Sequence, residues 1–104
     1  MVVPSVVTRQ SEIQAVVSAV ERELAPEVVR IRYEITTDWS GDWAIFFRIV
    51  LSDAATQGRR LRQITTKVRE EINTRLAPLH LGVLTYFNFR SVKEQEELRE
   101  EAWA

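Results

Sequence analysis

Three stretches of the chain alternate in polarity with the period of a β-strand, in which successive side chains point to opposite faces. The odd positions Val29, Ile31, Tyr33 and Ile35, then Trp43, Ile45, Phe47, Ile49 and Leu51, then Val83, Thr85, Phe87 and Phe89 are apolar almost throughout. The even positions Arg30, Arg32, Glu34, Phe46, Arg48, Tyr86, Asn88 and Arg90 mix arginines with aromatic rings. Such a chain must build a sheet that buries its odd face and leaves its even face to solvent, to a covering segment or to a ligand.

The first two strands, about 27–37 and 43–51, are close enough to form a hairpin. Because both apolar sets are odd, the register must pair odd with odd. A three-residue loop, Ser40–Asp42, does this and sets Trp39 opposite Trp43, Ile35 opposite Phe47 and Tyr33 opposite Ile49 on the core side. It also sets Glu34 directly across from Arg48, an opposite-charge pair that stabilises a ladder by roughly 0.2 to 1 kcal/mol.

Helical spacing surrounds the strands. Ser11 and Gln14 form a potential capping box ahead of Ile13, Val16, Val17, Val20 and Leu24, and the helix should stop near Ala25, before Pro26. Asp53 or Thr56 can cap a second helix carrying Leu61, Ile64, Val68 and Ile72, delayed by Gly58 and closed by Pro78. Ser91 and Glu94 form a capping box that opens a last, acidic helix reaching about Trp103.

The order α-β-β-α-β-α predicts an α+β two-layer sandwich. Its three-stranded mixed sheet is expected in spatial order 2-1-3, with the first two helices on one face and the acidic helix at the C-terminal end. A length of 104 residues fits one domain, 1–104, with residues 1–8 as an extended N-terminal arm. With no cysteine there is neither a disulfide framework nor a thiolate metal site. No segment approaches the ~20 apolar residues that span a membrane, and no signal-peptide pattern opens the chain, so a soluble cytoplasmic protein is expected.

The search for chemistry returns little. His80 is the only histidine and sits between Leu79 and Leu81 in a loop. Asp38, Asp42 and Asp53 are acidic, but a strand of about ten residues at ~3.3 Å per residue separates the last two. No glycine-rich phosphate loop or Gly-x-x-Gly loop is present, and no metal or cofactor is expected. No catalytic constellation is recognisable.

Binding is the stronger expectation. Residues 91–104 hold five Glu against Lys93 and Arg99, a net of −3, which leaves +2 on residues 1–90. That acidic segment can fold over Arg30, Arg32 and Arg90. The second strand is apolar outwards at Ala44, Phe46 and Val50, and in the order 2-1-3 it is an edge strand that invites pairing. The preferred reading is therefore a non-catalytic module that homodimerises or docks a partner protein through strand 43–51 and the C-terminal helix, using Phe46, Val50, Val92, Leu98 and Trp103. The alternative is nucleic-acid or anion binding by Arg30, Arg32, Arg59, Arg60, Tyr86 and Arg90, where arginines track phosphates and rings stack bases. Arg59 and Arg60 qualify because cations near a helix start sit badly in its dipole unless an anion binds there.

Overall fold

The computed structural model describes residues 3–104. Its elements are α1 (Ser5–Thr8), α2 (Gln10–Glu23), β1 (Val28–Thr37), β2 (Trp43–Leu51), α3 (Arg59–Leu76), β3 (Leu84–Ser91) and α4 (Val92–Leu98). The chain is an α+β protein built on a three-stranded mixed sheet, in which β1 and β2 are antiparallel and β2 and β3 parallel.

The strands lie in the order β1-β2-β3, not 2-1-3. β2 is the central strand, and this explains its composition. Ala44 and Val50 on one side and Ile45, Phe47, Ile49 and Leu51 on the other are all buried, as expected of a strand covered on both faces. Apolar residues on both sides of β2 mark the middle of the sheet, so the exposed edge on which pairing through this strand depended does not exist.

Ile13, Val17 and Val20 of α2 and Ile64, Val68, Ile72 and Leu76 of α3 follow helical spacing and meet Ile31, Ile45, Phe47, Ile49 and Leu51 in one core. Leu61, assigned to the same stripe by its spacing, is instead 40% exposed. Val6 of α1 is fully buried in this core, so residues 5–8 are a short helix and not an extended arm. The expected box at Ser11 does not form, since α2 begins a residue earlier and carries no side-chain cap. At Ser91 the box is complete: Glu94 N donates to Ser91 Oγ at 3.0 Å, and Ser91 N donates to Glu94 Oε1 at 3.2 Å.

The hairpin keeps odd-with-odd parity but closes one residue earlier than expected. Asp38 N donates to Asp42 O at 2.8 Å, which makes Trp39–Gly41 the three-residue loop. Gly41 takes φ +87°, the left-handed position such a loop requires. Ile35 therefore pairs with Ile45, Tyr33 with Phe47 and Glu34 with Phe46. Arg48 faces Arg32, yet still reaches diagonally to Glu34 Oε1 at 2.9 Å. Parity breaks once, at a bulge between Val28 and Arg30, where Val28 turns into the core and Val29 is left 42% exposed.

Candidate functional site

The two registers arrange the even face as successive rows across the sheet: Thr36, Ala44 and Leu84; Glu34, Phe46 and Tyr86; Arg32, Arg48 and Asn88; Arg30, Val50 and Arg90. The two ends of this grid are built differently.

The last row is closed by the chain itself. α4 ends at Leu98, Arg99 turns in the left-handed region, and Glu101–Trp103 forms a short 3-10 turn. The chain thus comes back over the sheet. Arg30 Nε donates to the carbonyl oxygen of Trp103 at 2.9 Å. Arg90 donates to Gln95 Oε1 at 3.2 Å and Glu100 Oε1 at 2.7 Å, while its guanidinium lies 4.2 Å from the centroid of the Trp103 ring. Trp103 is only 6% exposed, and Val50 1%. A stacked, desolvated guanidinium of this kind contributes about 1 to 2 kcal/mol.

The hairpin end is open. Phe46 and Tyr86 stack at 5.0 Å with 17° between their planes, and Trp39 lies 5.3 Å from Tyr86. Trp39 is 84% exposed. Beneath these rings the buried Asp38 organises the loop: its Oδ1 accepts from Ser40 N at 2.9 Å, Ser40 Oγ at 2.6 Å and Asp42 N at 3.1 Å, and its Oδ2 accepts from Tyr86 OH at 3.0 Å. The Ser40 hydroxyl does most to hold the Asp38 carboxyl below its ordinary pKa, with help from Tyr86 and the backbone donors and against the cost of desolvation. Burial, and then the Asp38 carboxylate, push the Tyr86 hydroxyl upwards.

The residues singled out for partner contact are thus divided. Phe46 is half-buried on the open end, Leu98 is exposed on α4, Val92 is half-buried at the start of α4, and Val50 and Trp103 are buried within the chain. The residues singled out for anions do not form one site. The C-terminal segment occupies Arg30 and Arg90, and Tyr86 is bonded to Asp38. Arg59 and Arg60 belong to α3, which packs on the odd face, and Arg60 pairs with Glu27. Arg32 remains exposed beside Arg48.

Trp39, expected on the core side opposite Trp43, lies in the hairpin loop and is exposed instead, because the ladder closes at Asp38 and Asp42. Neither it nor Asp38 is a site residue by sequence. The signal was present in Asp38-Trp-Ser-Gly-Asp42, since an aspartate two residues before a serine and three before a glycine favours a side-chain-capped turn. His80 is exposed and adopts a left-handed backbone, φ 49°, after the turn Ala77–Leu79. Among the described residues no group of three or more His, Asp or Glu side chains is gathered to hold a metal ion, and no helix is long and apolar enough to cross a membrane. No known protein family, curated protein or solved structure matches the chain.

Proposed function

We propose that the chain is a non-catalytic interaction module that homodimerises through the open end of the even face, with Trp39 and Phe46 at the centre of the contact. The observation that carries this reading is the 84% exposure of Trp39 beside the Phe46–Tyr86 stack. Exposed aromatic residues are the side chains whose burial most often dominates protein association. The patch is also self-complementary in charge. Arg32 and Glu34 stand two residues apart on the same face of β1, so a two-fold axis beside Phe46 can set each arginine against a glutamate. The C-terminal segment contributes indirectly, by occupying the other end.

Size-exclusion chromatography with light scattering across micromolar concentrations tests the reading. It predicts a dimer that Phe46→Glu disrupts and that Trp39→Ala, a change at an exposed residue, weakens without altering far-ultraviolet circular dichroism. A monomer that co-purifies with a second protein in a Trp39-dependent way assigns the patch to a different partner. A monomer with no such companion contradicts both forms.

Nucleic acid on the same face is a second reading, favoured by Arg32 standing opposite Arg48 next to stacked rings. It predicts salt-dependent oligonucleotide binding that Arg32→Ala weakens.

A further inference from the structure

The two edges of the sheet are not equivalent. On β1 the outer edge is interrupted by the Val29 bulge, and Glu21 of α2 covers it by accepting from Ile31 N at 2.8 Å. These are common ways to stop a strand from pairing further. On β3 the only backbone group held outside the ladder, among the described residues, is Ser91 N at its very end. The rest of that edge is available.

The edge of β3 also lines a hollow of about 770 Å³. One wall is the consecutive run Phe87–Ser91, and the other is one side of α3, where Leu61, Arg62, Thr65 and Arg69 recur at helical spacing. A strand edge facing a helix across a groove is the geometry in which an extended peptide adds a strand: main-chain hydrogen bonds hold it, and pockets on either side read its alternate residues. The charge of the groove selects the peptide. Arg62 and Arg69 have no ion-pair partner among the described residues. Arg69 instead lies 5.3 Å from the Phe89 ring centroid, and the one acid among the described residues that line the groove, Glu94, is engaged with Ser91 N at the far end.

We infer that the groove between α3 and the free edge of β3 binds an acidic, extended peptide segment of a partner protein as an added fourth strand, with Arg62 and Arg69 reading its carboxylates. Leu61 and Phe89 supply the apolar floor for the intervening side chains. This surface lies apart from the Trp39 patch, so the two proposals stand or fall separately.

The probe is an 8-residue peptide, matched to the length of β3, that alternates Glu with Val, and its control carries Lys in place of Glu. With the full chain labelled for amide NMR, the Glu peptide is expected to shift the amides of residues 87–91, which line the groove, and slow their exchange, and the Lys peptide to do neither. Arg62→Glu combined with Arg69→Glu changes two exposed helix positions and should weaken binding by about tenfold or more while far-ultraviolet circular dichroism shows the fold retained. Trp39→Ala should leave peptide binding unchanged. Equal response to both peptides, no response to either, shifts that map to the Trp39 patch, or binding that survives charge reversal would overturn the inference.

Discussion

At the Arg30–Val50–Arg90 end of the even face each arginine meets an acceptor from its own chain, and Trp103 seals the row. At the Glu34–Phe46–Tyr86 end the rings meet one another and the hairpin loop, and the largest of them, Trp39, is exposed. Both ends come from the same alternating strands. The difference is made by the chain returning after Arg99, and it teaches that an arginine-rich sheet face can be structural at one end and available at the other. Neighbouring positions on one strand therefore have different roles: Arg30 anchors the tail, whereas among the described residues Arg32 donates only to a backbone carbonyl, Ile31 O.

The largest effect is expected from opening the closed end. Trp103→Ala removes a buried indole and the stack on Arg90, and should lower unfolding stability in urea by about 3 kcal/mol, the scale for losing a large buried aromatic. A loss no larger than that of a surface substitution would mean that the tail does not seal the sheet. At the open end the expectation reverses. Trp39→Ala should leave stability within about 0.5 kcal/mol while weakening self-association by about tenfold, or roughly 1.4 kcal/mol. The Glu34–Arg48 pair, partly exposed on both sides, separates the two ends, and Glu34→Gln should cost only about 0.5 kcal/mol in the same urea titration.

The last contrast is in acid. Because the folded protein holds the Asp38 carboxyl below its ordinary pKa, this group binds its proton less readily folded than unfolded, so its contribution is complete above the ordinary aspartate range. The contribution is lost as pH falls through the lowered value of the folded state. Asp38→Asn should flatten the acid limb of the stability curve, and Tyr86→Phe should move that limb in the same direction by less. Trp103→Ala should shift the whole curve downwards without changing its acid shape, because no carboxylate at the Asp38 loop is touched.

The sequence was most legible where a local rule had no competitor. β2 runs from Trp43 to Leu51 as the alternation predicts, and the Ser91–Glu94 box opens α4 as the spacing predicts. The parity of the hairpin was legible too, because only one parity buries both apolar sets. Its closing residues were less so, since parity accepts a loop at 39–41 as readily as at 40–42, and the side-chain bonds of Asp38 decide between them. Strand order is not legible at the one place where two physical accounts fit the same residues. Ala44, Phe46 and Val50 pointing outwards suit either an edge awaiting a partner or a central strand covered by its own chain, and the sequence pattern does not say which neighbour β3 chooses. Leu61 is the converse case, a residue on the core spacing of α3 that is left exposed and lines the groove instead.

The indole N–H resonances of Trp39 and Trp103 report on the two ends of the face within one sample. Followed by NMR as the full chain is diluted through micromolar concentrations, the Trp39 resonance is expected to move along a monomer–dimer curve while that of Trp103 stays fixed. A Trp103 resonance that moves while that of Trp39 does not, or two resonances that both ignore concentration, would contradict the account.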